Sequence, residues 1–259
     1  MGFTNRQILD IALRQSATDL NCNPADFLRD EPVLVPSQAN PGARKYLHLP
    51  LACHLVSYGN NVVAAALESC RELVSAYIRR FPAEHCFETP NLHILNDALE
   101  GMGQRICYMA EYFLPDLGCL EPLECPYPLK ILHQQDFGPL YVPTWANALC
   151  KERRELDVLG VAAYDGEQLI GLAGCSADCD EMWQIGIDVL PAYRRQGVAS
   201  ALTSRLALEI LERGMVPFYC AAWSNVKSVR NAVKCGFRPA WVEMSAKSTA
   251  FVEKLNTKD

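Results

Sequence analysis

The chain has no excess of positive charge. Its 24 Lys and Arg stand against 30 Asp and Glu, leaving a net charge of −6. A surface that binds nucleic acid through phosphate neutralisation needs clustered Lys and Arg, and no such patch is visible, so nucleic acid is excluded as a partner. Nor is there an apolar run near the roughly 20 residues a membrane-spanning helix requires, so a membrane partner is excluded too. The opening Met1-Gly2-Phe3-Thr4-Asn5-Arg6 is neither a secretory signal nor a transit peptide, and Arg6 spoils a myristoylation pattern. The expected location is cytoplasmic. Cysteine is plentiful, at 12 residues, but metal-site spacing is missing: Cys175 and Cys179 form the closest pair, with no His or Cys partner at zinc distance. No metal is expected. Without a signal peptide the thiols are expected reduced, several as small hydrophobes inside apolar runs such as Ile106-Cys107-Tyr108.

Half of the 259 residues are apolar and 21% are charged, the composition of a soluble globular protein with one large core or two modest ones. The acidic balance suits a cationic substrate such as an amine, or serves solubility alone. Thr4 and Gln7 form a capping box that opens a helix to about Asp19. Strands are expected at 33–35, 46–49 and 54–58, a helix over 62–80, an extended piece at 86–87, a helix from Thr89-Pro90 to Gly101, and a strand over 104–114. Residues 115–128, rich in proline, read as a linker. It divides the chain into an accessory domain, 1–120, and a second domain, 128–259. The latter reads as strand 129–133, helix 136–151, a hairpin of 158–164 and 168–175 around Asp165-Gly166, strand 181–189, helix 198–213, strand 217–222, a helix from Asn225, and strand 238–246.

The most informative stretch runs from Asp188 to Leu202. An apolar strand ends at Pro191, and a short loop then presents Arg194, Gly197 and Ala199 at spacing R-x-x-G-x-A as a helix opens. Small residues there leave the N–H groups of the first helical turn accessible at the positive end of its dipole, a seat for a diphosphate. Arg194 and Arg195 add cationic donors. The Lys-Ser/Thr of a magnesium-nucleotide P-loop is missing. Read alone, the same residues also fit a surface turn with solvated arginines.

This loop, together with Asn225-Val-Lys-Ser-Val-Arg-Asn-Ala-Val-Lys-Cys-Gly-Phe237, resembles the GCN5-related N-acetyltransferase (GNAT) superfamily, in which R/Q-x-x-G-x-G/A is followed by an N-x-x-S/A…G-F helix. The resemblance covers about residues 128–248. It implies an α/β (mixed α+β) GNAT fold in the C-terminal half, and an acetyl-CoA-dependent N-acetyltransferase whose acceptor is a small primary amine, an amine-bearing metabolite or an antibiotic. The cofactor acetyl-CoA would be held by Asp188, Val189 and Leu190 at the strand end, by Arg194, Arg195, Gln196, Gly197, Val198, Ala199 and Ser200 in the loop and first turn, and by Asn225 and Ser228. Main-chain N–H groups near Val189 would polarise the thioester carbonyl. The position that often carries a glutamate base in the family is Trp183, so Glu181, two residues earlier on the same face, becomes the candidate base, with Asp178 and Asp180 behind it; these three also read as solvated loop charges. The tyrosine that commonly protonates the departing thiolate is replaced by Ala232; Tyr219 and Tyr193 are near in sequence but match no motif, so protonation by water, a side chain from elsewhere or a loss of catalysis stands open. A non-catalytic acyl-CoA-binding or sensor protein is therefore the alternative, and the oligomeric state is open. The N-terminal α+β half repeats the order helix, short strand, helix, glycine, long strand, with Gly103 answering to Gly236. It reads either as a degenerate GNAT-like copy, loosely similar to the added half of zwittermicin-resistance-type acetyltransferases, or as an unrelated α+β domain.

Overall fold

The computed structural model describes residues 2–256. In chain order the elements are α1 (Asn5–Leu20), β1 (Val33–Pro36), β2 (Cys53–Ser57), β3 (Val63–Ala66), α2 (Arg71–Arg80), α3 (Asn91–Glu100), β4 (Gln104–Pro115), β5 (Leu129–His133), β6 (Asp157–Asp165), β7 (Gln168–Ser176), β8 (Met182–Val189), α4 (Val198–Glu212), β9 (Val216–Ala221), α5 (Val226–Lys234), β10 (Phe237–Ser248) and α6 (Thr249–Asn256). No helix among the described residues is long and apolar enough to cross a membrane. The chain forms two compact units, and neither is contiguous: one comprises Met1–Ile11 and Tyr112–Pro239, the other Ala12–Glu111 and Ala240–Asp259. The units thus differ from the expected division at 120/128. Strands β4 and β10 each begin in one unit and end in the other.

The unit built around 112–239 carries the neighbouring strands β9-β8-β7-β6-β5. Strands β5 to β8 pair antiparallel in sequence, and β8 pairs parallel with β9. Alternation sorts β7 and β8 onto two faces. Odd-numbered Ala173, Cys175, Ile185, Ile187 and Val189 pack with Val198, Leu202 and Leu206 of α4. Even-numbered Leu172 and Leu190 pack with Phe137, Trp145, Ala148 and Leu149 of the segment joining β5 to β6. That segment is not the expected helix over 136–151. Gly138, Pro139 and Pro143 break it into single 3-10 turns at Gln134–Asp136, Gly138–Leu140 and Pro143–Trp145, with a further 3-10 stretch at Lys151–Leu156. It is seated on a row of three glycines, Gly160, Gly174 and Gly186, directly opposite one another on β6, β7 and β8. A Cβ at Gly174 would lie 2.2 Å from the Ala148 carbonyl oxygen, and one at Gly186 would lie 1.8 Å from that of Asn147. Two carboxylates hold the segment down: Asp188 takes the N–H groups of Asn147 and Ala148, and buried Asp157 takes that of Cys150 at 2.8 Å.

The other unit contains the order β1-β3-β2-β10, with β1 parallel to β3 and the other pairs antiparallel. Residues 63–66 are strand rather than helix: β3 lies between two neighbours and is buried on both faces, so it reads as an unbroken apolar run in which helix and strand look alike. The helix expected from residue 62 begins only at Arg71. The strand expected at 46–49 is a 3-10 turn, Lys45–Leu47, closed by His48 at φ 53°. Residues 84–87 are likewise a 3-10 turn, so no strand separates α2 from α3. The N-terminal half is therefore α+β but not a strand-for-strand copy of the C-terminal one, although Gly103 (φ 70°) and Gly236 (φ 86°) both sit where a helix hands over to a long strand. The capping box forms as expected, with Thr4 N–H donating to Gln7 Oε1 and Gln7 N–H to Thr4 Oγ1.

A buried charge network ties β10 into this unit. Arg44, 2% exposed, bonds through Nε to Asp19 at 2.5 Å and through its terminal nitrogen to Glu243 of β10. Glu243 also accepts from Trp241 Nε1 at 2.7 Å and lies 3.3 Å from His54 Nε2. Burial opposes ionisation of Glu243, but Arg44 and the bond to His54 outweigh it and hold the carboxyl at about 2.

Two stability predictions follow from these carboxylates. Glu243→Gln should lower the unfolding free energy at pH 7 by about 3–5 kcal/mol, because it leaves a buried guanidinium underpaired. The folded-state value lies below the ordinary 4.5, so the wild-type advantage is present above that value and fades as pH falls toward about 2. Urea unfolding of both proteins across that range checks the sign. Asp157 behaves in the opposite way: burial, only partly offset by the Cys150 N–H and Tyr141, raises its carboxyl from 3.8 to about 6. Its contribution is full below about pH 4 and should decline, by roughly 3 kcal/mol at most, as pH rises through 6. The same titration on Asp157→Asn should show that decline flattened.

Candidate functional site: the splay of β8 and β9

Parallel pairing joins Met182–Ile185 of β8 to Val216–Tyr219 of β9 and then stops. Beyond it, Gly186 to Val189 remain paired to β7 only. Leu190 N–H donates to Ile170 on β7 at 2.9 Å, and alternation therefore turns the peptide groups of Ile187 and Val189 toward the open β9 side. Buried or half-buried peptide groups without a strand partner need another one, and this gap presents N–H donors to an entering carbonyl oxygen.

The loop that follows is shaped by its backbone. Arg195 lies at φ 63° and Gly197 at φ 85°, and α4 begins without a side-chain cap. Helical bonding in α4 starts with Ala201 N–H donating to the Gly197 carbonyl, so Val198, Ala199 and Ser200 are the first-turn donors with no intrahelical acceptor. Val198 and Ser200 are buried, which anchors the turn, whereas Arg194, Arg195 and Gln196 are exposed. Arg194 Nε donates to the Val189 carbonyl at 3.0 Å, fastening the loop to the strand end. Gln196 is set by Tyr127, whose hydroxyl donates to its Oε1 at 2.8 Å, and by the Ala192 carbonyl. A Cβ on Gly197 would come no closer than 3.8 Å to any neighbouring atom, so the approach to the turn is open and only the positive φ demands glycine there.

On β9 and α5, Asn225 caps the helix by accepting the Ser228 N–H at 3.3 Å. Ser228 Oγ lies 2.9 Å from the hydroxyl of Tyr219, which projects from the last paired residue of β9. Burial, partly offset by Ser228 and Asn231, raises the Tyr219 hydroxyl above its usual range, so it keeps its proton. Ala232, one turn further along α5, is fully buried. The sequence brings Tyr219 near but gives it no motif signal, because it lies outside the helix motif, and Tyr127 is missed because it lies in the linker.

Three expected residues take different places. Glu181 is exposed and stands just before β8, at the closed end; six residues to Ile187 make about 20 Å of strand, beyond direct proton transfer. Behind it, Asp178 is buried with Arg153 Nη1 at 3.3 Å and is not a solvent-facing base. Asp188 points to the face away from α4, and its carboxylate accepts from Asn147 N–H (2.8 Å), Asn147 Nδ2 (2.7 Å) and Ala148 N–H (3.0 Å). With three bonds to the chain, its carboxylate serves as a structural anchor.

Residues 144–240 match the family model described as GNAT acetyltransferase. Among solved structures, the GCN5-related N-acetyltransferase from Kribbella flavida is similar over 92% of this chain and 95% of its own, at 14% identity and a TM-score of 0.53. The GCN5-related N-acetyltransferase-like protein from Streptococcus suis matches 61% of this chain and 69% of its own (21% identity, TM-score 0.46). An acetyltransferase of the GNAT family from Colwellia psychrerythraea matches 56% and 57% (16% identity, TM-score 0.42). No curated protein matches the chain. The Kribbella structure extends the likeness of fold to nearly the whole chain, and residues 144–240 carry the match to the GNAT acetyltransferase family.

Proposed function

We propose that this protein is an acetyl-CoA-dependent N-acetyltransferase acting on a small amine. The observation that carries the reading is the coincidence of two features on one strand: β8 leaves β9 after Ile185, and the loop following β8 turns through Gly197 into a helix with unpaired first-turn N–H groups. The residues present fit a CoA diphosphate, with the Val198, Ala199 and Ser200 N–H groups as donors, exposed Arg194 and Arg195 as counter-charges, and an open glycine at the turn. Asn225 and Ser228 would flank the pantetheine arm.

Bound acetyl-CoA would supply an activated acyl group, a thioester that an amine can attack. The chain's own part is positional and electrostatic. Main-chain N–H groups of Ile187 and Val189 would stabilise negative charge on the carbonyl oxygen, a contribution of several kcal/mol where such donors are preorganised. On the helix side, the Tyr219 hydroxyl beside Ser228 offers a proton to the departing sulfur, standing in for the tyrosine absent at 232. With Glu181 out of reach and Asp188 fully engaged, the acceptor would lose its proton to solvent. The transfer rate should then rise with pH up to the pKa of the acceptor itself rather than that of an enzyme carboxylate. The buried alanine at 232 favours one other reading, a protein that binds acyl-CoA without turning it over.

A panel of amines assayed for acetyl-CoA-dependent thiol release decides between the two. Arg194→Ala should weaken acetyl-CoA binding by about 1.5–3 kcal/mol, the value of one charge-assisted bond. Calorimetry showing unchanged affinity in that variant would remove the proposed diphosphate seat. Turnover of no amine by a protein that binds acetyl-CoA tightly would favour the binding protein.

A further inference from the structure

The open end of β8 meets the chain on both faces, and only one face carries the helices. From residues 194–200 an extended arm would run back along the splay toward its closed end, which lies at Gly186. On the face opposite α4, the first residue past the closed pairing is not bare. A Cβ on Gly186 would lie 1.8 Å from the Asn147 carbonyl oxygen and 2.9 Å from its carbon, so the main chain of Asn147 rests against the strand. Gly174, paired with Gly186, makes the same contact with Ala148. Glycine at both positions is what a close main-chain approach requires. The fixing comes from two residues further along β8, where Asp188 accepts all three of its hydrogen bonds from Asn147 and Ala148. Charge-assisted bonds of this kind are roughly twice as strong as neutral ones. Trp145 and Leu149 pin the flanks into the apolar cluster on that face.

We infer that Asp188 is a positioning residue that latches Asn147–Ala148 onto β8, and that the latched segment is the stop limiting the acyl group to a short chain at the closed end of the splay. The inference rests on the acyl-CoA reading and deepens it, since it names the acyl class: acetyl is accepted, and a chain long enough to reach past Gly186 meets the Asn147 main chain. Nothing in the cofactor's diphosphate seat depends on the latch, so acyl length and CoA affinity should separate on mutation.

The test uses the full chain, with acetyl-CoA and hexanoyl-CoA titrated calorimetrically into wild type, Asp188→Ala and Asp188→Asn. Wild type should bind hexanoyl-CoA at least about tenfold more weakly than acetyl-CoA, a difference of roughly 1.4 kcal/mol. Asp188→Ala should narrow that ratio to within about threefold by gaining hexanoyl-CoA, with acetyl-CoA unchanged within about the same factor. Asp188→Asn, which retains one acceptor oxygen, should fall between them and decides the matter if the alanine variant does not fold. Amide exchange at Asn147 and Ala148 should quicken by about tenfold or more in a folded variant, as release of a locally stabilising contact would give. Equal binding of both chains by wild type overturns the stop. Parallel loss of both ligands in the variants, with their ratio kept, overturns the latch and returns Asp188 to the cofactor seat. Binding of neither acyl-CoA by wild type brings down the acyl-CoA reading and this inference together.

Discussion

One side of β8 is without a strand partner for four residues, and the proposed chemistry of the protein depends on that gap. Parallel neighbours normally hydrogen-bond along their length, and leaving peptide groups unpaired in a sheet interior is costly. Here the gap is held open from both ends. Isoleucine 185 and Tyr219 close the pairing at one end, and at the other Arg194 reaches back to the Val189 carbonyl while the chain turns away through Gly197. The two faces of the strand are then used differently. Odd positions anchor α4, so the helix whose first turn offers free donors is fixed relative to the gap. Even positions receive the segment between β5 and β6, which gives the gap a floor.

Much of this was legible in the sequence because the signals were local. R-x-x-G-x-A at the end of an apolar strand specifies a positive φ and a capless helix start, and both are present. Asn225 caps its helix, the Asp165-Gly166 hairpin turns where expected, and Thr4 with Gln7 forms the anticipated box. The errors came where the deciding interaction is remote. Residues 63–66 look helical because a strand covered on both faces has no alternation to betray it. Residues 136–151 look helical by periodicity, yet Gly138, Pro139 and Pro143 were the better guide, and what replaces the helix is a segment shaped by contact with the sheet.

The three glycines beneath that segment show what a sequence can hold without declaring. Gly160, Gly174 and Gly186 lie in three successive strands, and each alone reads as an ordinary weak point. Only the register, which brings them side by side, reveals a channel cut for another piece of main chain. The anchoring role of Asp188 is hidden for the same reason: its neighbours in sequence lead into the candidate diphosphate loop, while its hydrogen-bond partners lie about forty residues earlier. Tyr219 supplies a hydroxyl beside α5 from a neighbouring strand, and in the proposed reaction it stands in for the tyrosine absent at 232.

The partition of the chain bears on how the protein is made. The unit built on residues 12–111 takes its last strand from 240–248, and Glu243 in that strand meets Arg44 and His54. A ribosome delivers those partners almost two hundred residues apart. Throughout most of synthesis, therefore, the first-made unit carries an unpaired β2 edge and a buried-type arginine with one of its two carboxylates missing. Such an edge is prone to wrong pairing. It can be closed correctly only once the chain beyond Pro239 has emerged, so the unit built on residues 12–111 is completed after the unit that lies between its two segments.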